Sequence, residues 1–266
     1  RVIKATSTLV PLMGVIYISV AFILTIMHIN LVPGVVGRIF AEAFDFTAIF
    51  GGFAGSCMMF GIKRGLYSNE AGVGSAPNAA AAADVSHPVK QGLVQMLSVF
   101  IDTLLICTAT AFMCLSSGIE PTKELAGAPY VQAALAASMG DYAKLFITVS
   151  MVLFAFTTLL GNLYYVDNAF AYVLKHVPGK TFTLCYRILA CVLIFIGAGS
   201  SMGTMWDLAD VTMGCMAIIN LPVICILGGS ALRALDDYTE QRDAGKNPEF
   251  KASKIGLTQK LDYWQD

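Results

Sequence analysis

The residues with the most evident chemistry lie in the stretch GIKRGLYSNEAGVGSAPNAAAAADVSHPVKQG, residues 61–92. A basic pair, Lys63 and Arg64, is followed by the string SNEAG, whose one acid is Glu70, in a segment otherwise rich in glycine and alanine. A phosphate-binding loop does not fit, because a proline replaces the third glycine and no Lys-Ser or Lys-Thr pair follows. The alanine-rich part favours a helix, so we predict an inner-loop helix over residues 66–84.

A second candidate is Asp102, the one acid in the apolar stretch FIDTLLICTATA. If this stretch crosses a membrane, its carboxylate is costly there and is a functional candidate by default. The alternative is a structural hydrogen bond to a serine, threonine or backbone amide of a neighbouring helix. The sequence leaves both interpretations open.

The third candidate is the polar face of the stretch AFTTLLGNLYY. Thr157, Thr158, Gly161 and Asn162 fall on adjacent helical turns, so most of them share one face of the helix. Such a face is expected to look into a bundle interior or a cavity. The alternative is that the threonine hydroxyls bond to the carbonyls of their own helix.

No arrangement typical of an enzyme or a metal site accompanies these candidates. The three histidines lie far apart, and none stands beside a nucleophile motif. The seven cysteines all lie in apolar runs without a CxxC pair, which argues for packing and against metal ligation or redox chemistry. We therefore expect a protein that is not an enzyme, with no catalytic residue, no metal site and no cofactor.

The elements that must position these residues are membrane helices. Apolar residues make up 56% of the chain and charged residues 13%, against about 25% charged in soluble domains. The apolar residues form runs that approach the roughly 20 residues needed to cross hydrocarbon. A soluble fold would need amphipathic covering helices, which the short connections do not supply. The predicted class is an all-α integral membrane protein, a transmembrane helical bundle over 1–232 with about six transmembrane helices, at 9–29, 46–62, 93–115, 145–174, 184–199 and 211–229, before a polar tail over 233–266.

The charge distribution predicts the orientation. With the N-terminus inside, nearly all of the 17 Lys and Arg residues fall in inner segments. Only Arg38, Lys123 and Lys144 fall in outer ones, a strong positive-inside bias. Both termini are thus expected to face the cytoplasm, with the tail as a cytoplasmic C-terminal segment. Because the chain begins with arginine, we also expect it to be a fragment.

The second run is unusual in its glycines, Gly51, Gly52 and Gly55. Glycine costs about 1 kcal/mol relative to alanine in a helix interior, so the cluster needs a reason. Gly51 and Gly55 have the spacing of a close helix–helix contact. A broken helix that lines a substrate cavity with free carbonyls is the other explanation, and the two are compatible.

The string GIKRGLYSNEAGVGSAPNAAAAA, followed by HPVKQGLVQ and FIDTLLICTATA, resembles the signature region of the bacterial alanine or glycine:sodium symporters. The resemblance extends to about Leu232. It implies a leucine-transporter-type fold, in which two five-helix repeats of inverted topology enclose a central site. On this pattern the chain is the C-terminal portion, with the last helix of the first repeat and the second repeat, and its partner is a missing N-terminal half.

The resemblance also implies roles for particular residues. Thr157 and Thr158 match positions that contact sodium or substrate. Many members carry tryptophan where this chain has Asn162, so the pocket is expected to be larger and glutamine becomes a candidate substrate. An inner gate is expected at Asn69 and Glu70, with Lys63 or Arg64 as the partner of Glu70. The residues implied to bind substrate are Gly51, Gly52, Gly55, Ser56, Met58, Met59, Thr158 and Asn162.

The prediction is therefore a sodium-coupled secondary transporter in the bacterial inner membrane. It would import a small neutral amino acid, alanine, glycine or glutamine, by alternating access, with Na⁺ as the coupling ion and no nucleic-acid partner. Proton coupling, with Asp102 as the carrier, and a non-transporting structural membrane subunit remain as alternatives. A channel is disfavoured, because the polar residues cluster at one depth.

Overall fold

The computed structural model describes residues 2–45, 57–70, 72–122, 125, 127–257, 261 and 264. Helices are the regular elements throughout this part of the chain, and it contains no strand. The second predicted span, 46–62, lies outside the described residues except for its end.

Ten α-helices are described, and a short π-helix joins two of them. The first five are α1 (Val2–Met27), α2 (Val32–Ala43), α3 (Cys57–Ser68), α4 (Ser75–Ala80) and α5 (Pro88–Phe100). The π-helix (Ile101–Cys107) continues α5 directly into α6 (Thr108–Leu115). The remaining four are α7 (Ala128–Met139), α8 (Asp141–Leu174), α9 (Lys180–Ala198) and α10 (Met202–Asp243), and short 3₁₀ turns occur at Ile29–Leu31 and Ala252–Ile255.

Five of these helical segments are long and apolar enough to cross a membrane. Each exceeds the roughly 20 residues that hydrocarbon requires, or comes within one residue of that length. The prediction of an all-α, multi-pass integral membrane protein is thereby confirmed. The five segments are Leu9–Met27, Pro88–Leu115, Asp141–Leu174, Lys180–Ala198 and Met202–Asp243.

The chain divides into two compact units. The first comprises residues 1–69 and 99–162, and the second comprises residues 70–98 and 163–266. In the first unit, α1, α6, α7 and the start of α8 share an apolar core. The Tyr17 hydroxyl of α1 lies 2.8 Å from the Thr110 hydroxyl of α6, which joins two of these helices by a hydrogen bond. The buried core residues are Ala21, Leu24, Met113, Leu135, Ala143 and Ile147.

In the second unit, α8 and α9 are joined by an ion pair and by aromatic contacts. The Arg187 guanidinium donates to the Asp167 carboxylate at 2.9 Å. The rings of Phe170 and Phe182 meet edge to face with centroids 5.0 Å apart. These contacts link the last turns of α8 to the first turns of α9.

Helix α10 extends well beyond the apolar run that the sequence shows. Its 42 residues correspond to roughly 60 Å, about twice the thickness of the hydrocarbon layer. The helix runs to Asp243, so the start of the predicted tail, from residue 233, is helical. Residues 246–257, which we call the clasp, then fold back on the end of α10 and bury Phe250, Ala252 and Ile255 against Ala234.

The predicted inner-loop helix over 66–84 corresponds to two shorter pieces. Helix α3 runs to Ser68, and α4 covers only Ser75–Ala80. Glu70, Gly72 and Gly74 between them have positive φ angles of 48°, 78° and 101°. A left-handed backbone cannot continue a right-handed helix, so the chain turns here.

Candidate functional site

The first unit contains a polar cluster around Asp102, within the membrane span Pro88–Leu115. The Ser68 hydroxyl, at the end of α3, donates to the Asp102 carboxylate at 2.6 Å. One residue further along each element, the Thr103 hydroxyl donates to the Asn69 amide oxygen at 3.0 Å. Two parallel side-chain hydrogen bonds therefore connect α3 to the π-helix. We call Ser68, Asn69, Asp102 and Thr103 the Asp102 cluster.

The π-helix determines which side chains accompany Asp102. Its hydrogen-bond register brings residues five apart close together, whereas in an α-helix residues three or four apart are neighbours. The Cys107 thiol accordingly lies 3.9 Å from the Asp102 carboxylate, and the Thr108 hydroxyl donates to the Thr103 carbonyl at 3.2 Å. A π-helical segment is rare and often marks a functional site.

Asn69 is held at both ends of its amide group. Its nitrogen donates to the Gly65 carbonyl at 2.9 Å, while its oxygen accepts from Thr103. Two of the predicted gate residues, Lys63 and Arg64, lie on the same helix, α3, with the Arg64 guanidinium 5.6 Å from the centroid of the Tyr67 ring. The hydrogen bonds to Gly65 and from Thr103 therefore fix the orientation of the Asn69 amide.

Glu70 opens the inner loop of the second unit, residues 70–74. Its carboxylate accepts a hydrogen bond from the Ser75 hydroxyl at the start of α4. This bond ties together the two ends of the left-handed turn. The structure thus supplies one partner for Glu70, and the pairing with Lys63 or Arg64 stays a prediction.

The inner loop is fitted closely against α10. The Asn220 side-chain amide donates to the Gly72 carbonyl at 3.0 Å. A Cβ atom added to Gly72 would lie 2.8 Å from Leu221 Cδ2, so only glycine fits without movement. This role of Asn220 could not be predicted from the sequence, because it depends on residues 148 positions apart.

The polar face of α8 lies partly on the surface of the described chain. Thr157 is half-buried and its hydroxyl donates to the Phe154 carbonyl at 3.0 Å, the own-helix bond that the sequence left open. A hydroxyl that donates one bond still has lone pairs with which to accept or to coordinate. Thr158 and Asn162 are exposed and lie one turn apart on the same face.

The predicted substrate residues of the second run are only partly described. Gly51, Gly52, Gly55 and Ser56 lie outside the described residues. Met58 and Met59 lie in the first turn of α3 and are half-buried. The assignment of a substrate pocket to this run therefore stays a prediction.

A second aspartate, Asp237 of α10, is surrounded by partners. His87 is fully buried and its Nε2 donates to Asp237 at 3.3 Å, while its Nδ1 accepts from the Val89 N–H. The ring packs edge to face on Tyr238 and Phe250. Burial lowers the pKa of His87 below its usual value, and the hydrogen bond that His87 makes to the Asp237 carboxylate opposes this shift.

The clasp completes this arrangement. Lys254 lies 3.5 Å from the other Asp237 oxygen, and the Gln241 amide donates both to Asp237 and to the Glu249 carbonyl. The Ser86 hydroxyl donates to the Pro248 carbonyl at 2.8 Å. We call His87, Asp237, Gln241 and Lys254 the Asp237 cluster, since these side chains fasten the clasp to α10 and to the start of α5.

Comparison with known proteins gives a consistent result. The model of the "Sodium:alanine symporter family" matches residues 1–252. This match does not bear out the prediction of a C-terminal portion that lacks an N-terminal half. The chain spans about half the length of the curated relatives it matches, 56% and 55% of the first two.

Three relatives illustrate the similarity. The chain is 42% identical over 266 residues to the amino-acid carrier protein AlsT of Bacillus subtilis, across 100% of this chain. It is 41% identical over 264 residues to the probable sodium/glutamine symporter GlnT of the same organism, across 99% of this chain. It is 38% identical over 280 residues to a sodium/proton-dependent alanine carrier protein of Bacillus sp., across 100% of this chain and 63% of that protein.

Proposed function

The chain belongs to the sodium:alanine symporter family, and on that premise we propose that it serves sodium-coupled import of a small neutral amino acid by alternating access. The family is one of transporters and not of enzymes. The observation that carries the proposal is the family match over residues 1–252, together with relatives whose names specify amino acids and sodium.

The proposed fold is of the leucine-transporter type, built from inverted repeats. The order of the described helices supports it: a spanning helix α1, the shorter helices α2 and α3, and then four further candidate spans. On this assignment α1 is the last helix of one repeat and the later spans form the next repeat. Transporters of this kind bind substrate near the bilayer midplane, beside interrupted helices.

We place the substrate site beside the glycine-rich run and the polar face of α8. Thr158 and Asn162 are exposed on one face of a membrane helix, and polar groups in that position normally face a cavity. The Thr157 and Thr158 hydroxyls would supply oxygen ligands to sodium, because a hard cation prefers oxygen. Asn162, smaller than tryptophan, would leave room for a longer side chain such as that of glutamine.

The inner gate is assigned to the segment from Asn69 to Ser75. Two hydrogen bonds around the turn support this assignment: one between Ser75 and Glu70, and one between Asn220 and the Gly72 carbonyl. In the proposed gate, breaking these two hydrogen bonds would release the loop into a second arrangement. Replacing Glu70 by Gln would weaken its hydrogen bond with Ser75 and is expected to change the transport rate.

The proposed location is the bacterial inner membrane, with both ends of the chain in the cytoplasm. The bias of Lys and Arg towards the segments at one side supports this orientation. The Asp237 cluster and the clasp would then lie on the cytoplasmic side.

Uptake by the full gene product in proteoliposomes tests the proposal. Labelled alanine, glycine and glutamine are offered with an inward sodium gradient, and with sodium replaced by choline at the same pH. We expect sodium-dependent accumulation of at least one of the three. Equal uptake in sodium and choline, or no accumulation at all, would contradict the proposal.

Proton coupling is the second candidate, because one relative at 38% identity is named as sodium/proton-dependent. The same vesicles distinguish the two ions when a pH gradient replaces the sodium gradient. Accumulation driven by the pH gradient in choline would favour the proton.

A further inference from the structure

Asp102 places a carboxyl group in the membrane span Pro88–Leu115 without a cationic partner in the described part of the chain. Its contacts there are the Ser68 hydroxyl at 2.6 Å and the Cys107 thiol at 3.9 Å. The ion pairs of the described residues involve other acids, such as Asp167 and Asp237. A carboxylate at membrane depth is expensive unless a counter-charge neutralises it.

A purely structural hydrogen bond does not require an acid at this position. An asparagine could accept the same hydrogen bond from Ser68 without the cost of burying a charge. The neighbouring pair shows such a bond, because the neutral amide oxygen of Asn69 accepts a hydrogen bond from the Thr103 hydroxyl. An acid at this position can in addition neutralise a bound cation, which an asparagine cannot do.

The Asp102 cluster offers oxygen atoms of the kind that a hard cation prefers, and the Cys107 thiol lies at its edge, 3.9 Å from the Asp102 carboxylate. The Asp102 cluster contains a carboxylate, two hydroxyls and an amide oxygen, from two adjacent residues at the end of α3 and two adjacent residues of the π-helix. Carboxylate, carbonyl and hydroxyl oxygens bind hard cations, and a single negative charge matches a monovalent one. Each hydroxyl can turn its proton away and present lone pairs to an ion.

We propose that the Asp102 cluster binds a sodium ion, with Asp102 and Ser68 as the principal ligands and Asn69 and Thr103 beside them. This site is separate from the sodium ligands assigned above to Thr157 and Thr158. As a coupling-ion site it rests on the proposed function, whereas the binding of sodium itself can be measured without transport.

The site has a structural link to the predicted gate. Ser68 and Asn69 are the last residue of α3 and the residue after it, and they directly precede Glu70 in sequence. An ion held by Asp102 and Ser68 fixes the end of α3 at the π-helix. Sodium occupancy would in this way stabilise one arrangement of the segment that begins at Asn69.

Sodium binding to the purified full gene product tests the proposal directly. Sodium chloride is titrated by calorimetry into protein in choline buffer, for wild type and for Asp102→Asn. We expect saturable binding to the wild type, and loss of one sodium site, or a fall in its affinity of about 100-fold or more, in the variant. Ser68→Ala should lower the affinity of the same site about tenfold.

Two variants serve as controls. Asp141→Asn removes an exposed carboxylate at the start of α8, and its sodium binding should equal that of the wild type. Asp102→Glu keeps the charge and should retain measurable binding even if Asp102→Asn does not fold. Unaltered binding in Asp102→Asn, or no sodium binding to the wild type, would overturn the proposal.

The same variants separate this inference from the proposed function. If sodium binds at Asp102 but uptake is equal in sodium and choline, the inference stands and sodium-coupled transport fails. If Asp102→Asn leaves sodium binding intact and changes only the pH dependence of uptake, Asp102 carries a proton and the inference is overturned. If uptake depends on sodium and the variant binds sodium normally, only the inference fails.

Discussion

Two aspartates of this chain, Asp102 and Asp237, have different neighbours in the folded structure. Asp237, in the second unit, is one-tenth exposed and lies within 3.5 Å of both His87 and Lys254. Asp102, in the first unit, contacts a hydroxyl and a thiol. Asp237 stands beside packed aromatic rings that hold its partner in place, whereas Asp102 is part of a cluster of oxygen atoms.

The difference indicates different roles. An acid whose hydrogen-bonding and cationic partners are supplied by the chain holds elements together, and an ion from solution would have to displace those partners. An acid with oxygen neighbours and no such cation, among the described residues, can still accept one. Stability measurements should therefore respond to the Asp237 cluster, and sodium measurements to the Asp102 cluster.

The largest effect on stability is expected from His87→Ala. The substitution leaves a cavity between Tyr238 and Phe250 and removes a hydrogen bond to a carboxylate, so we expect a loss of about 2–3 kcal/mol. Thermal unfolding in detergent measures the change. His176→Ala, at an exposed site just after α8, should have little effect. Equal midpoints for His87→Ala and the wild type would remove the structural role of the Asp237 cluster.

The next largest loss of stability is expected on substitution of Gly72 by alanine. Gly118 serves as the comparison, because the two glycines have similar φ angles, 78° and 73°. Alanine at either position costs about 1 kcal/mol or more, because both are left-handed. At Gly72 the new Cβ would also lie 2.8 Å from Leu221, whereas at Gly118 no atom lies within 4 Å. Gly72→Ala should therefore destabilise the protein more than Gly118→Ala, by about a further 1 kcal/mol. Equal losses in thermal unfolding would contradict the close fit of the inner loop.

Acidification should act on the Asp237 cluster through His87. Its pKa is lowered in the folded protein by burial, against the opposing effect of Asp237, while Lys90 and Lys254 nearby also lower it. In the unfolded chain histidine takes up a proton near pH 6.5. The contribution of neutral His87 to the free energy of unfolding is thus fully present above about pH 6.5. It is lost as the pH falls from there through the lower pKa of His87 in the folded protein.

Unfolding midpoints measured from pH 7.5 down to 5 (roughly the range in which histidine titrates) test whether stability falls on acidification. The wild type should lose stability over this range, and His87→Gln should lose less. A wild-type midpoint that rises on acidification would contradict it.

The smallest effect is expected from Lys254→Gln. Its ammonium lies 3.5 Å from Asp237 and its side chain is half exposed, so solvent screens the pair. We expect a loss below about 1 kcal/mol, as for other partly exposed pairs. A larger loss would mean that Asp237 depends on this cation and not on His87.

The sequence predicts the membrane-spanning helices well because hydrocarbon imposes length and apolarity on them. It also identifies Asp102, since a lone acid in an apolar run is conspicuous. It does not predict the π-helix, because nothing in IDTLLIC distinguishes that register from an α-helix. Nor does it predict that Phe250 packs on His87, since contacts between distant residues depend on the assembled fold.

The inner loop also could not be predicted from the sequence, because tertiary contacts override the local helix preference there. An alanine-rich composition favours a helix over 66–84. The turn at Glu70, Gly72 and Gly74 is instead stabilised by Ser75 and Asn220, which become neighbours of these residues only in the folded chain. Local preference therefore gives the existence of α4 but not its length.

The most direct test measures the sodium dependence of amino-acid uptake for Asp102→Asn and Asp237→Asn side by side, with the full gene product in proteoliposomes. We predict that Asp102→Asn loses sodium stimulation while its unfolding midpoint changes little. Asp237→Asn should keep the wild-type sodium dependence and unfold at a lower temperature. If the two variants lose sodium stimulation equally, or if Asp102→Asn keeps it, the distinction between an ion-binding and a structural aspartate is wrong.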